Sequence, residues 1–300
     1  MGQAIFRGYD RQALDREYDN RSKVPDCADY LTRYAKESEA ARRELPCRLD
    51  LRYGPNPGET LDVFPASGPG PAPIQLFIHG GYWRALDKAD FSYVARAFVP
   101  AGAATVVTNY GLIPSVDMDE LVRQCRAAGA WVYRNAASFG GDPGRLFTSG
   151  HSAGGHLVAM LMATDWPAFA GLPPDVLKAG CGISGLYDLE PIRLCYLNEH
   201  LKLTSEQARR NSPIHHVPAR SSPLLLPVGA LEGAEYHRQT DELAAAWRAR
   251  GLACEVMDMP GLHHFSIVAQ LGDPASDLSR AIPRQMRLPQ RRPRSLPRGL

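Results

Sequence analysis

The sequence predicts an α/β protein built on a mostly parallel, doubly wound sheet flanked by helices. Short apolar runs alternate with helical segments between residues 74 and 258, the order that repeated strand–helix units produce. Before them, two segments of alternating polar and apolar residues flank a Gly/Pro/Asn turn and predict an antiparallel hairpin. The composition, 44% hydrophobic and 22% charged over 300 residues, is that of a globular protein.

The first part of the chain combines helices with this hairpin. Residues 10–45 are rich in charged residues and helix formers, so we expect one or two helices that pack outside the domain or over its site. Residues 48–53 alternate as a half-buried strand should, and residues 61–64 are the partner strand after the turn at 54–58. The Pro/Gly stretch 65–73 is predicted as a loop.

The rest of the domain follows the alternating pattern. The parallel strands are expected to be covered on both faces and are predicted at residues 74–78, 104–108, 145–149, 178–183, 223–229 and 253–258. The helices between them are predicted at residues 88–100, 117–138, 153–164 and 235–250. Residues 190–222 are irregular, and we expect a lid or cap there. We assign residues 1–283 to one domain and predict a basic, disordered tail over residues 284–300.

Charge and cysteine usage set aside several classes of function. A formal net charge of +2 gives no reason to expect nucleic-acid binding. No apolar run approaches the ~20 residues of a membrane span, and no signal peptide is visible. The six cysteines are scattered and lack metal-site spacing, so we expect no metal and no cofactor. Most of them look like small buried residues of a reduced compartment, so we expect a cytoplasmic protein. A homodimer is left open.

A G-x-S-x-G motif lies between a predicted strand and a predicted helix. This context, for Gly150-His151-Ser152-Ala153-Gly154, is typical of a nucleophile elbow. Gly150 and Gly154 would relieve the clashes of the strained turn. We therefore expect Ser152 to be a nucleophile and the Ala153 amide to face an oxyanion. The alternative is a glycine-rich turn with a capping serine.

The strand at 74–78 ends in His79-Gly80-Gly81-Tyr82-Trp83, a candidate oxyanion loop. Glycines allow the backbone to approach a substrate closely, so Gly81 and Tyr82 are the candidate donors of backbone N–H groups. We expect Tyr82 and Trp83 to line a substrate pocket. The alternative is a simple turn whose aromatic side chains pack beneath the N-terminal helices.

These two motifs, together with residues 232–239, resemble the kynurenine formamidase (arylformamidase) branch of the α/β-hydrolases. The resemblance covers residues 20–275. It implies an α/β-hydrolase fold and a serine enzyme that cleaves an aryl formamide such as N-formylkynurenine, with Tyr82, Trp83 and Tyr187 available to stack on an aromatic leaving group. A carboxylesterase for short acyl esters is the main alternative, and a non-catalytic binding protein of the same fold is another.

A serine nucleophile needs a general base, and in this fold the acid and then the histidine follow the serine. His263 and His264 both lie after the last strand, and the resemblance places the base just before Phe265, which favours His264. Glu232 follows the strand at 223–229 and is the favoured acid. Animal members of the resembling family use Asp at this position. Three other carboxylates compete with it: Glu235, Asp241 and Asp258.

We expect none of the other histidines to act as the general base. We expect His79 to brace the oxyanion loop. His151 and His156 flank the serine, and we expect the elbow to turn both side chains away from it. His215 and His216 lie beside the expected lid and suggest no role. No histidine cluster has metal-ligand spacing.

Overall fold

The computed structural model describes residues 2–288 and contains an eight-stranded sheet. The strands are β1 Arg48–Arg52, β2 Thr60–Phe64, β3 Ala72–Ile78, β4 Ala104–Thr108, β5 Gly141–His151, β6 Leu177–Ile183, β7 Leu224–Gly229 and β8 Cys254–Met259. Their order across the sheet is β1-β2-β4-β3-β5-β6-β7-β8. The β1–β2 and β2–β4 pairs are antiparallel and the other pairs are parallel. The predicted fold class is confirmed.

The helices cover both faces of this sheet. They are α1 Arg11–Tyr18, α2 Asn20–Lys23, α3 Cys27–Glu44, α4 Ala95–Phe98, α5 Met118–Asn135, α6 Ala153–Met162, α7 Trp166–Ala170, α8 Glu190–Leu194, α9 Asn198–Leu201, α10 Ser205–Arg210, α11 Ala234–Ala249, α12 His264–Ala269 and α13 Asp277–Gln285. Where one helix was predicted over residues 88–100, two 3₁₀ turns precede the short α4. No helix among residues 2–288 is both long and apolar enough to cross a bilayer.

Alternate residues of the central strands fill two separate cores. Ile74 and Leu76 of β3 face the core that also contains side chains of α5, α6 and α11. Phe77 faces the other core, together with Tyr34 of α3 and Ile282 of α13. Because both faces are covered, every residue of β3 is buried. The carboxyl ends of the parallel strands then carry their loops to one edge of the sheet, where such folds bind ligands.

Two parts of the predicted organisation need correction. Residues 190–222 are not irregular throughout, because α8, α9 and α10 lie there and bury residues such as Ile192 and Leu201. Each of these helices spans six residues or fewer, too short for a helical period to show in the sequence. The predicted domain end at residue 283 falls inside α13, and Met286 beyond it is buried. Residues 289–300 of the predicted tail lie outside the described residues.

Candidate active site

Ser152 occupies a strained turn between β5 and α6. Its backbone has φ 57° and ψ −117°, a conformation that non-glycine residues adopt only when their surroundings enforce it. A Cβ on Gly150 would lie 2.5 Å from the Gly154 carbonyl oxygen, and one on Gly154 only 2.0 Å from the Ile78 carbonyl oxygen. Side chains at either position would therefore prevent this packing, which is the role that the sequence predicted for both glycines.

Ser152 begins a chain of hydrogen bonds that ends at a buried carboxylate. Its Oγ lies 3.0 Å from Nε2 of His264, and Nδ1 of His264 lies 2.7 Å from Oε2 of Glu232. The other carboxylate oxygen accepts hydrogen bonds from the Gly229 N–H (2.8 Å) and the Ser184 hydroxyl (2.5 Å). With its Nδ1–H donated to Glu232, the imidazole presents Nε2 as an acceptor for the Ser152 hydroxyl proton. This arrangement can activate a serine nucleophile.

Ser184 is a member of this site that the sequence analysis did not identify. It follows β6 directly, and its own N–H donates to the Pro227 carbonyl oxygen at 2.8 Å. Its backbone is left-handed, with φ 49°. The feature of the sequence that indicates Ser184 is its position: it is a polar residue at the carboxyl end of a buried parallel strand, the edge of the sheet where the other site residues lie.

The neighbouring histidine has a structural contact of its own. Nδ1 of His263 lies 3.2 Å from the backbone nitrogens of Phe265 and Ser266, so this ring caps the start of α12. Its ring also packs edge-on against Tyr30, with centroids 5.1 Å apart. The structure thus brings His264, and not His263, to Ser152.

The competing carboxylates lie elsewhere. Glu235 is buried at the start of α11, where it accepts the Tyr18 hydroxyl (2.8 Å) and pairs with Arg238 (2.7 Å). Asp241 and Asp258 are exposed, on α11 and β8 respectively. Glu232 is the carboxylate that contacts His264.

The predicted oxyanion loop lies against the nucleophile. A Cβ on Gly80 would be 3.1 Å from the Ser152 Cβ, and one on Gly81 would be 2.1 Å from the Ala85 carbonyl oxygen. Gly81 also has φ 107°, which favours glycine. Ala153 opens α6, where the first backbone N–H groups have no acceptor within the helix. Gly81 and Tyr82 line the same cavity as Ser152, and their amides remain the candidate oxyanion donors.

Two of the three aromatic residues expected in the substrate pocket are not there. Trp83 is fully buried, and its indole N–H donates to Nδ1 of His156 at 3.1 Å. Tyr187 is also fully buried, and its hydroxyl donates to the Gly182 carbonyl oxygen at 2.9 Å. The backbone of Trp83 is left-handed (φ 58°) and its side chain is part of the core. For Trp83, therefore, the alternative of an aromatic side chain packed under the loop fits better than a place in the pocket. Tyr82 does line the cavity.

The histidine expectations are partly confirmed. His79 braces the loop as expected, with its Nδ1 2.8 Å from the Gly80 carbonyl oxygen and its ring stacked 4.5 Å from that of Tyr110. The expectation that His151 turns away was wrong: it lines the cavity, with its ring centroid 4.6 Å from that of His264. Burial, followed by the nearby His264 ring, holds the pKa of His151 well below its usual value, so this ring is neutral at pH 7.

The cavity beside Ser152 has a volume of about 350 Å³. Part of its wall is apolar and aromatic, contributed by Leu31, Tyr34, Leu86, Phe91 and Phe265. Charged and polar residues complete it: Asp19, Asn20, Arg21, Arg84 and His200. Because α2 supplies Asn20 and Arg21 and its N-cap residue is Asp19, the N-terminal helices lie over the site, one of the two placements expected for them. Among residues 2–288, no group of three His, Cys, Asp or Glu residues is arranged to hold a metal ion.

Comparison with known proteins finds formamidases and esterases among the relatives of this chain. The BD-FAE family matches residues 61–168. The kynurenine formamidase of Danio rerio is 36% identical over 242 residues, which cover 79% of this chain and 80% of that protein. Esterase LipQ of Mycobacterium tuberculosis is 29% identical, over 78% of this chain and 64% of that protein. A solved structure of a candidate thioesterase from Silicibacter sp. TM1040 has a TM-score of 0.78 and 32% identity, over 90% of this chain and 98% of that one.

The buried His156 should make folding depend on pH. Its Nε2 lies 2.7 Å from the Asn211 carbonyl oxygen and its Nδ1 accepts from Trp83, which requires a neutral ring. Burial lowers the pKa of His156 to about 4, whereas an unfolded histidine titrates near pH ~6.5. As the pH falls from ~6.5 towards 4, the unfolded chain gains a proton that the folded chain excludes, so the free energy of unfolding decreases.

We expect His156→Gln, which retains one donor and one acceptor without titrating, to lose less free energy of unfolding than the wild type between pH 7 and pH 4.5. Urea unfolding at a series of pH values measures this. The exposed His200→Gln is the matched control and should keep the wild-type slope. Equal slopes for His156→Gln and the wild type would contradict the linkage.

Proposed function

Because this chain belongs to the kynurenine formamidase family of the α/β-hydrolases, we propose that it hydrolyses an aryl formamide, with N-formylkynurenine as the substrate, through an acyl-enzyme at Ser152. That it is a hydrolase of ester or amide bonds follows from its relatives. The observation that carries the proposal is the hydrogen-bonded chain Ser152–His264–Glu232 at the wall of a partly aromatic cavity.

In the proposed mechanism, His264 takes the hydroxyl proton of Ser152 as the serine oxygen attacks the formyl carbon. The amides of Ala153 and of Gly81 or Tyr82 stabilise the tetrahedral oxyanion. His264 then gives its proton to the departing aryl nitrogen, the C–N bond breaks, and a formyl-enzyme and an aromatic amine result. Water, deprotonated by His264, attacks the formyl group and releases formate, and the proton returns to Ser152.

Glu232 would hold the base in its productive orientation. Its longer side chain still reaches Nδ1 of His264 while two other donors, from Gly229 and Ser184, fix the second oxygen. An ionised carboxylate at this place stabilises the imidazolium that forms during proton transfer. The presence of Glu where animal relatives have Asp is therefore compatible with the proposed role.

The walls of the cavity favour an aromatic substrate that carries a negative charge. Asp19 uses its carboxylate to cap α2, accepting from the Ser22 N–H (3.2 Å) and hydroxyl (2.5 Å). Arg21 and Arg84 have no carboxylate within ion-pair distance in the part of the chain that the structure describes. A guanidinium without a partner can form a charge-assisted hydrogen bond to a substrate carboxylate. N-formylkynurenine offers both an aryl ring and such a carboxylate.

A short-chain carboxylesterase is the second candidate function. Its support is the similarity to an esterase and the fact that the same nucleophile, base and oxyanion donors would cleave an ester. An ester has a better leaving group than an amide, so it makes less demand on His264 as an acid. The two functions therefore differ in the relative rates for the two substrate types.

Substitution of the nucleophile tests the reaction and the substrate together. We expect wild-type protein to hydrolyse N-formylkynurenine much faster than p-nitrophenyl acetate, and Ser152→Ala to lose at least about 10³-fold in kcat on both. Wild-type turnover by the variant on either substrate would contradict the proposal. Cleavage of the ester alone by the wild type would instead support the carboxylesterase.

Glu232→Gln should retain the fold and lose most of the activity. Replacing the acid of a serine-protease triad by its amide lowers kcat about 10⁴-fold because the imidazole adopts the wrong tautomer, and we expect about 10³- to 10⁴-fold here. Steady-state kinetics on p-nitrophenyl acetate measures this loss. The exposed Glu255→Gln is the control with the same chemical change. A loss of less than tenfold in Glu232→Gln would argue that another group orients His264.

The charge preference has its own test. We expect Arg84→Gln to raise KM for N-formylkynurenine about tenfold, the loss of one charge-assisted hydrogen bond, with kcat little changed. Formanilide, which has no carboxylate, should be hydrolysed by the variant with wild-type constants. Arg16→Gln, an exposed arginine of α1 that does not line the cavity, is the control. Equal effects on both substrates would mean that Arg84 does not recognise the carboxylate.

A further inference from the structure

Three polar side chains from separate elements meet behind the oxyanion loop. The hydroxyl of Tyr82 lies 2.8 Å from that of Tyr236 on α11, and Nδ2 of Asn20 on α2 lies 3.1 Å from the first and 2.7 Å from the second. The Tyr82 hydroxyl also donates to the Tyr18 carbonyl oxygen at 2.7 Å. We call Asn20, Tyr82 and Tyr236 the hydroxyl cluster.

The donors and acceptors of the hydroxyl cluster match one another fully. A phenol has one hydrogen to donate and two lone pairs, and an Asn amide has two hydrogens. Tyr82 donates to Tyr18, so Tyr236 must donate to Tyr82, and Asn20 gives one hydrogen to each phenol. Asn20 is 7% exposed and Tyr236 is fully buried. Rotating the Tyr82 ring away would leave buried donors without acceptors, which is costly, so this ring is fixed.

The backbone that carries this ring needs such support. Three successive residues have left-handed backbone: Gly81 (φ 107°), Tyr82 (φ 48°) and Trp83 (φ 58°). Two of them are not glycine, and conformations of this kind persist only where the surroundings enforce them. The hydroxyl cluster anchors the loop on one side, and the bond from the Trp83 indole to His156 anchors it on the other.

The same backbone supplies the proposed oxyanion donors. Hydrogen bonds to an oxyanion contribute to catalysis only when their donors are already in place as charge develops. A small displacement of the Gly81–Tyr82 peptide would therefore weaken stabilisation of the transition state while binding of the ground-state substrate changed little.

We propose that the hydroxyl cluster is a positioning device for the oxyanion hole. By fixing the Tyr82 ring it holds the loop amides against Ser152, and Asn20 ties the N-terminal segment to that ring. Asn20 and Tyr236 are positioning residues, and the Tyr82 phenol takes no part in proton transfer. The inference rests on the serine mechanism proposed above but not on the choice between formamide and ester.

One other route of action has to be separated from this one. The Tyr236 ring lies 4.9 Å from the His264 ring, so the cluster is also close to the proposed base. A Tyr→Phe substitution keeps the ring and removes only the hydroxyl, and it therefore preserves this ring contact. An effect through His264 would shift the apparent pKa of the pH–kcat profile, whereas an effect through the oxyanion loop would not.

The experiment compares Tyr82→Phe, Tyr236→Phe and the double variant with Tyr53→Phe. Tyr53 is the matched control because its hydroxyl donates to a carbonyl oxygen, that of Asn109, and it does not line the cavity. Each protein is assayed on p-nitrophenyl acetate across pH, and the inhibition constant of an aryl trifluoromethyl ketone, which forms a tetrahedral oxyanion with serine, is measured. Thermal unfolding shows which variants fold.

We expect each single variant to lose about 10- to 100-fold in kcat, with KM within about threefold of the wild type. The trifluoromethyl ketone should bind more weakly by a similar factor, and the pH profile should keep its position. The double variant should lose no more than the larger single effect, because both hydroxyls act through one cluster.

Two results would overturn the proposal. One is a kcat within about twofold of wild type in a folded Tyr236→Phe variant, the substitution that leaves the oxyanion loop itself unaltered. The other is a loss of kcat accompanied by a shifted pH profile and unchanged inhibitor affinity, which would assign the effect to His264. Failure of the proposed serine mechanism would be distinct, since wild-type protein would then neither turn over the ester nor bind the ketone covalently, and failure of the formamide assignment alone would leave both readouts intact.

Discussion

The close approach of the nucleophile turn to the end of β3 is the constraint on which this site depends. Only 2.0 Å separates a Cβ built on Gly154 from the Ile78 carbonyl oxygen, so the start of α6 can reach β3 only without a side chain there. This contact sets Ser152 in its strained conformation and places the loop after β3 directly against it. The nucleophile and the candidate oxyanion loop thus meet at one packing contact between the start of α6 and the end of β3.

The buried charge of the site is balanced by hydrogen bonds from several elements. The side chain of Glu232 is only 1% exposed, and an isolated carboxylate would be strongly disfavoured in such a place. Donors from three elements surround it: Ser184 follows β6, Gly229 ends β7 and His264 begins α12. Rigidity of this kind suits catalysis, because groups already oriented need not reorganise as the transition state forms.

The sequence predicted the fold and the residues of the proposed triad because both depend on local patterns at the ends of apolar strands. Its errors concern side-chain direction and short elements. Trp83 and Tyr187 are both buried, although their residue type suits a pocket wall equally well. At Trp83 this burial accompanies a left-handed backbone that residue type does not specify. The contact of His151 with His264 joins residues 113 positions apart in the sequence, on different elements, and no spacing rule announces it. The hydroxyl cluster, which spans α2, the oxyanion loop and α11, is hidden from sequence for the same reason.

The central claim is that Ser152 forms a covalent bond in the reaction, and active-site labelling tests it most directly. Folded protein would be treated with an aryl phosphonate ester, and its intact mass and peptide map determined. The account predicts one phosphonyl group per chain, on Ser152, and no label on Ser152→Ala. A folded wild-type protein that remains unlabelled, or that carries the label on another residue, would contradict it.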